Sequence, residues 1–154
     1  AWQQIITSPM QRCQAFAHAL GERHAIPVMV ESRFKEVGFG VWEGLSHDEV
    51  KIARAAEYQA FLQDPVNCRP QGAEPLEDFI HRVGSAYQEA TERHRNSHFL
   101  IVAHAGVMRA LIAQTIHAPL IGLYRIKINN GGITRIRNSE TGGVLELLNG
   151  KLSA

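Results

Sequence analysis

Short apolar runs alternate along this chain with longer segments in which apolar residues recur at helical spacing. The runs at Gln4–Thr7, 27–30 and 99–103 predict buried strands, and the last is the strongest because it is continuous and apolar. Between the first two, an apolar stripe from residue 10 to residue 20 predicts a helix that ends at Gly21. Strands that alternate with helices are typical of an α/β fold with a largely parallel sheet.

Other segments repeat this alternation. Ser46 and Glu49 have the spacing of a capping box, which predicts a helix from residue 46 to about residue 63, before Asp64-Pro65. Glycine-rich turns separate the last segments of the chain. The remaining periodic segments predict helices at 76–93 and 107–116 and strands at 123–128, 133–137 and 144–148.

Composition narrows the class of protein. The 154 residues fit one domain, and 16 basic against 15 acidic residues give a formal net charge of +1. That balance argues against a nucleic-acid partner bound through bulk charge. The longest apolar runs fall short of about 18 residues, so we predict no membrane partner. The first residues have no signal-peptide pattern and cysteines are sparse, so we expect a cytoplasmic location.

Candidate chemistry lies at two junctions between a strand and a helix. Ser8 is predicted to cap the first helix, and Arg12 lies in its first turn. His104 ends the strongest strand, and Gly106, after the small residue Ala105, begins the next helix. Ligands bind at the carboxyl ends of parallel strands, and helix N-termini favour anions. Because Arg12 can form two parallel bonds to phosphate and small residues allow close approach, the pattern predicts a phosphate pocket.

Each of these residues also has an ordinary explanation. Arg12 alone is typical of a solvated helix position, and His104 alone is typical of a hydrogen-bonded structural group. His94 and His98 are four residues apart and could share a helix face as metal ligands. No cysteine or acidic residue lies at ligand spacing from them, so we predict neither a metal nor another cofactor. The two junctions together are more specific than any one residue.

Three segments carry a still more specific pattern: TSPMQR, FKEVGFGVWEG and IVAHAGVMRALI. They resemble, in order and spacing, the S-P-L-x-R, E-x-x-x-G-x-W-E-G and V-x-H-x-G-V-x-R-x-L motifs of the histidine phosphatase (phosphoglycerate mutase-like) superfamily. The resemblance covers essentially the whole chain. It implies a three-layer α/β sandwich, with a mostly parallel central sheet and helices on both faces.

The resemblance also implies a mechanism and roles for residues. In that family a histidine attacks phosphorus, and water hydrolyses the phosphohistidine. Arg12 is then expected to bind phosphate, and His104 to hydrogen-bond the phosphoryl oxygens. Glu36 is expected to protonate the leaving oxygen, with a surface carboxylate as the ordinary alternative. Glu43 competes for the acid role but is expected to hold the loop, and Arg109 is expected to be structural.

One family motif has no counterpart here. The resemblance places the attacking histidine in an R-H-G motif at the end of the first strand, and no R-H-G occurs in the 154 residues. The nearest string, Arg23-His24-Ala25, follows a predicted helix rather than a strand. We therefore expect one histidine-phosphatase-like domain over residues 1–154 that lacks its N-terminal βα unit. The missing first strand would leave neighbouring strand edges open.

The short loop from Glu36 to Gly44 resembles the phosphatase branch of the superfamily. FGVWEG followed by DPVNCRPQGAEPLEDFIHRV is similar to the α-ribazole phosphatases, although Gly72-Ala73-Glu74-Pro75 departs from their pattern. Glu74 either contacts substrate at the mouth of the pocket or charges the start of a helix.

The resemblance thus predicts a phosphomonoesterase for a small phosphorylated metabolite, such as α-ribazole 5′-phosphate. Substrate binding is expected from Arg12, Ser8, His104, Ala105 and Glu74. The alternative is a phospho-ligand-binding protein without turnover, because the nucleophilic histidine is absent. The sequence is compatible with a homodimer.

Overall fold

The computed structural model describes residues 1–151. The strands are β1 (Gln4–Thr7), β2 (Val28–Val30), β3 (Phe99–Val102), β4 (Ile133–Ser139) and β5 (Gly142–Gly150). The α-helices are α1 (Gln11–His24), α2 (His47–Ala53), α3 (Ala55–Gln63), α4 (Leu76–Arg93) and α5 (Ala105–Thr115). Short 3-10 turns at Ser32–Phe34, Gly40–Trp42 and Leu120–Arg125 connect them.

The central sheet is parallel and has the strand order β2-β1-β3. Ile5 of β1 pairs with Val28 on one side and with Leu100 on the other. The pairing continues one residue beyond β1, where the Ser8 N–H donates to the Val102 carbonyl at 2.9 Å. The ends of β1 and β3 therefore lie side by side, at the edge where ligands of such sheets bind.

Helices cover both faces of this sheet. Ile5 and Ile6 are both buried, and successive strand residues point to opposite faces. α1 packs against one face, while α4 and α5 pack together over the other face around Ile6. The buried stripe of α4 recurs at helical spacing through Leu76, Phe79, Val83, Ala86 and Ala90. The predicted α/β arrangement with helices on both faces is confirmed, and the bounds of α4 are those predicted.

The strand β3 is less enclosed than its sequence suggests. All four of its residues are half-buried, and within residues 1–151 it pairs with β1 alone. β4 and β5 form a separate antiparallel hairpin. The absence of an N-terminal βα unit stays a prediction.

The prediction that the first helix ends at Gly21 is wrong, because the helix continues to His24. It ends at Ala25, whose left-handed backbone (φ 54°) lets the cap form. Gly21 is buried inside the helix. A side chain does not fit there, because a Cβ would lie 2.6 Å from Val28 Cγ2 and 2.8 Å from the Ile26 carbonyl oxygen. The glycine permits close packing of α1 on the chain that enters β2.

Two other predicted segments differ. The predicted helix over residues 46–63 begins with the expected capping box at Ser46 but breaks at Arg54 (φ −136°, ψ 42°) into α2 and α3. The predicted strand over residues 123–128 is wrong, since Leu120–Arg125 forms a 3-10 turn after Pro119. Leu123 is fully buried there, so its apolar character reflects the core rather than a strand.

A second, smaller cluster lies beneath α2 and α3 and consists of Trp42, Val50, Tyr58 and Phe61. The two cysteines are free, and Cys13 is buried while Cys68 is exposed. Across residues 1–151, no helix combines the length and the apolar character that crossing a membrane requires.

Candidate active site

The ends of β1 and β3 bring Ser8, Arg12 and His104 together in what we call the His104 pocket. Ser8 Oγ lies 2.6 Å from His104 Nε2, and Arg12 Nη2 lies 2.9 Å from His104 Nδ1. Ser8 and His104 are buried, whereas Arg12 reaches in from an exposed helix position. Three predicted site residues are thus in contact, although 96 positions separate Ser8 from His104.

The partners of His104 define its protonation. A guanidinium has donors only, so Nδ1 must accept the hydrogen bond from Arg12. The neutral ring then carries its proton on Nε2 and donates it to Ser8 Oγ. Burial lowers the pKa of His104 from its ordinary value of 6.5, while Glu36 acts to raise this pKa and Arg12 to lower it further. The imidazole is therefore neutral at pH 7, with one donor and one acceptor assigned.

Ser8 does not cap α1, and this prediction is wrong. The N-cap position belongs to Met10, which makes no capping bond through its side chain. Instead, the Ser8 hydroxyl accepts from the Met10 N–H at 3.3 Å and meets the imidazole of His104. The chain stays extended through Met10 (ψ 134°), so Ser8 lies before the helix and its hydroxyl is committed to the pocket.

Cys13 is a pocket residue that the sequence did not single out. Its Sγ lies 3.7 Å from His104 Nε2 and 3.6 Å from the Ala103 carbonyl oxygen. Burial raises the pKa of its thiol, so the group is present as a neutral thiol beside the imidazole. The apolar stripe of α1 marked Cys13 as a core position, and that signal is the only one the sequence carries.

The second junction agrees with the prediction, except that α5 begins at Ala105 rather than at residue 107. His104 is the N-cap residue, Ala105 is half-buried and Gly106 is buried. As the second residue of the helix, Gly106 has an N–H without a partner inside the helix. This N–H donates to Glu36 Oε2 at 3.1 Å. A Cβ on Gly106 would lie 2.2 Å from Glu36 Oε1, so only glycine allows this approach.

Residues 34–44, which we call the Glu36 loop, bring the predicted acid to the pocket. The other carboxylate oxygen of Glu36 accepts from the Val37 N–H at 3.0 Å. Phe34 and Val37 are buried on either side and anchor the loop in the core. Glu36 is thus half-buried against the start of α5 and interacts electrostatically with His104. The structure brings it to the pocket rather than leaving it as a surface carboxylate.

The other two carboxylates serve the loop. Glu43 accepts from the Phe39 N–H at 3.1 Å, which agrees with the expectation that it holds the loop. Glu74 accepts from the Gly38 N–H at 3.2 Å and forms an ion pair with Arg82 at 2.7 Å. Burial acts to raise the pKa of Glu74, but the bonds from Arg82 and Gly38 prevail and lower it. Its contact with substrate stays a prediction.

Two arginines that support the loop were not identified from the sequence. Arg82 donates to the Glu36 carbonyl, and Arg69 donates to the Gly38 carbonyl at 3.1 Å and to the Tyr124 hydroxyl at 3.4 Å. Arg82 follows the core residue Phe79 by three positions and stacks over its ring at 4.8 Å. The sequence feature that could have identified Arg82 is its position beside the buried stripe of α4.

Other candidates lie elsewhere. His24 is in the last turn of α1, twelve residues beyond Arg12, so the helical rise separates the two by about 18 Å. Arg109 donates to the Ile126 carbonyl at 2.8 Å and stacks near Tyr124, as expected of a structural residue. Neither His94 nor His98 belongs to a group of three or more metal-ligand side chains, and residues 1–151 contain no such group.

Comparison with known proteins matches residues 1–151 to the family described as the histidine phosphatase superfamily, branch 1. Phosphoserine phosphatase 1 of Hydrogenobacter thermophilus is 26% identical over 145 residues, covering 94% of this chain and 69% of the relative. Adenosylcobalamin/alpha-ribazole phosphatase of Escherichia coli is 25% identical over 147 residues, covering 96% and 72%.

Solved structures agree with the fold. Bacillus stearothermophilus YhfR superimposes with a TM-score of 0.86 at 27% identity, covering 99% of this chain and 75% of that one. Arg12 and His104 are in contact beyond the ends of the paired strands β1 and β3, and Glu36 accepts from the Gly106 N–H near the start of α5. The chain therefore belongs to branch 1 of the histidine phosphatase superfamily, a family of phosphatase-type hydrolases.

Proposed function

We propose that this protein hydrolyses the phosphomonoester of a small metabolite, with the phosphoryl group bound in the His104 pocket. The observation that carries the proposal is the position of His104. Its ring is held between Arg12 and Ser8, and Glu36 accepts from the N–H of Gly106, two residues after His104. A cation, an oriented imidazole and a carboxyl group are then close to one another. That set is what phosphoryl transfer requires of a protein.

Arg12 and His104 have the role of binding. A phosphoryl group offers acceptors to the guanidinium of Arg12 and to the Nε2–H of His104, which also bonds Ser8 in the structure. The N-terminus of α5 at Ala105 adds a favourable dipole for the negative charge. Most of the rate acceleration in such a site comes from placing these donors where charge develops.

Glu36 has the role of proton transfer. As a histidine nitrogen forms a bond to phosphorus, the P–O bond to the alcohol breaks and the Glu36 carboxyl donates its proton to the leaving oxygen. In the second half-reaction the carboxylate takes a proton from water, which attacks the phosphohistidine, breaks the N–P bond and releases inorganic phosphate. The 154 residues contain no R-H-G, so we assign no attacking histidine within them.

For the substrate we propose a small alkyl phosphate, with α-ribazole 5′-phosphate and phosphoserine as the first to test. The choice is supported by the relatives, which are named for α-ribazole and phosphoserine phosphatases. The similarity of FGVWEG and the segment after it to α-ribazole phosphatases places α-ribazole 5′-phosphate first.

Two leaving groups test the acid role. Nitrophenolate leaves readily without protonation, whereas the serine alkoxide of phosphoserine requires it. Replacing Glu36 with Gln should slow phosphoserine hydrolysis by about 10²–10⁴-fold and p-nitrophenyl phosphate hydrolysis much less. Glu43→Gln is the matched control, because that carboxylate bonds only within the loop. Equal losses with both esters would exclude Glu36 as the acid.

The same assay separates turnover from binding. If the chain releases no phosphate yet binds inorganic phosphate through Arg12, it is the phospho-ligand-binding protein of the alternative hypothesis. If it does release phosphate, the attacking group lies among these residues, and trapping of phosphohistidine should begin with His104. Unaltered binding and turnover in Arg12→Ala would remove the pocket from the proposal.

A further inference from the structure

The guanidinium of Arg82 is completely saturated with hydrogen bonds. Its Nε–H donates to Glu74 Oε1 at 2.7 Å, and one Nη2–H donates to Glu74 Oε2 at 2.8 Å. The two Nη1 hydrogens go to the carbonyls of Arg33 at 2.5 Å and Lys35 at 2.8 Å. The other Nη2–H goes to the Glu36 carbonyl at 3.3 Å. All five donors of the side chain are therefore used.

These bonds enclose Glu36 on both sides along the chain. Arg82 fixes the carbonyls that lead up to and include Glu36, and Glu74 accepts from the Gly38 N–H two residues later at 3.2 Å. The backbone of Glu36 is thus held from α4, an element fixed by its own buried stripe. The side chain is then free to extend toward the Gly106 N–H.

Arg82 and Glu74 are suited to this task by their surroundings. Each side chain is 23% exposed, so water competes only partly for their bonds. The guanidinium also lies 4.8 Å above the ring of Phe79, which fixes its plane. A lysine at this position would offer three donors from a single point and could not span carbonyl and carboxylate partners at once.

We propose that Arg82 and Glu74 form a positioning pair that aims the carboxyl group of Glu36 at the His104 pocket. The pair acts through Glu36 and touches no reacting atom, so its contribution appears in proton transfer and not in phosphate binding. The inference rests on the proposed function of Glu36. The structural claim, that the pair fixes the backbone of Glu36, can be tested by hydrogen exchange in a protein that shows no turnover.

The test uses Arg82→Lys and Glu74→Gln, with Arg137→Lys as the matched control. Arg137 forms a comparable bond to Glu146 at 2.6 Å, but on the remote β4–β5 hairpin. We expect the first two variants to lower kcat for phosphoserine by at least about tenfold, because a misplaced acid loses part of its effect. The KM of Arg82→Lys, and the affinity of both variants for inorganic phosphate, should stay within about threefold of wild type, as the Arg12 and His104 contacts remain.

The Gly106 amide supplies a readout that general destabilisation would not move. Its hydrogen-bond partner is Glu36, so hydrogen exchange at Gly106 should accelerate by at least about tenfold in Arg82→Lys and Glu74→Gln. Amides in the core of α4 should keep their wild-type exchange rates, and Arg137→Lys should change neither. If Arg82→Lys fails to fold, Glu74→Gln alone decides.

The outcomes separate the two claims. Gly106 exchange that stays at the wild-type rate in a folded variant would overturn the positioning role. Accelerated exchange with unchanged kcat would keep Glu36 held by the pair but refute its role as the acid. A wild-type chain that shows no turnover would count against the proposed function alone, since the amide measurement still judges the positioning pair.

Discussion

The His104 pocket and the Glu36 loop meet at Gly106 but are built in opposite ways. In the pocket, Ser8 and His104 follow the ends of two paired strands, so the sheet itself sets their positions, and Arg12 lies in the first turn of α1. The loop contains short 3-10 turns and one isolated bridge, from Phe39 to Ala73, and side chains from distant segments, chiefly Arg82 and Glu74, add further bonds that hold it in place. The groups proposed to bind phosphate thus rest on the sheet, whereas the proposed acid, Glu36, lies on a loop that depends on side-chain bonds from distant segments.

This difference implies that the two functions can be separated by mutation. Changes in the pocket should weaken binding and turnover together, because the same groups hold the phosphoryl oxygens throughout. Changes that displace the loop should lower turnover and spare binding. The following experiments try to break that division, beginning with the largest expected effect.

The largest separation is expected from Gly106→Ala. The added Cβ would fall 2.2 Å from Glu36 Oε1, so the carboxylate must leave its bond to the helix start. We expect kcat for phosphoserine to fall by about 100-fold, within the range of lost acid catalysis, while the affinity for inorganic phosphate measured by calorimetry changes little. Gly122→Ala, at a position where a Cβ meets nothing within 4 Å, is the control. Equal losses of kcat and of phosphate affinity would show that the regions are not separable.

A smaller effect on binding is expected from Arg12→Ala. Removing a charge-assisted bond costs about 1.5–3 kcal/mol, or about 10–100-fold in affinity for inorganic phosphate by calorimetry. Arg23→Ala, near the other end of the same helix, is the control and should bind like wild type. Loss of turnover in Arg12→Ala without any loss of phosphate affinity would show that the pocket does not supply phosphate binding.

The smallest expected effect concerns the protonation of His104. Because burial lowers its pKa below 6.5, the folded chain resists protonation that the unfolded chain accepts, so the free energy of unfolding should fall as the pH drops below about 6.5. Nitrogen-detected NMR titration should place the pKa of His104 below 6.5, and added phosphate should raise it, since a bound anion favours imidazolium. A pKa at or above 6.5 without phosphate would contradict the buried arrangement with Arg12.

The same contrast explains what the sequence could predict. Helix α4 was predictable because burial of one face imposes a helical period on its sequence, and β1 and β3 were predictable from their continuous apolar runs. The junction residues Arg12 and His104 followed from those elements, since strand ends in a parallel sheet share one edge.

Contacts that depend on distant residues were not predictable. Nothing near Ser8 in sequence shows that its hydroxyl bonds His104 rather than capping α1, because the partner is 96 positions away. Arg82 and Glu74 are eight positions apart, but their joint target, the Glu36 loop, lies in another segment. The break at Arg54 and the 3-10 turn at Leu120–Arg125 likewise reflect packing that overrides local preference.

The separation of 96 positions between Ser8 and His104 also has a consequence for the order of folding. Pairing of β1 with β3 closes a long loop. The chain loses conformational entropy on this closure before the strand pairing stabilises the fold. Helices such as α4 can form from local contacts well before that closure. Phosphate binding should therefore appear late in refolding, after most of the helical signal has returned. Phosphate would then bind only the fully folded chain.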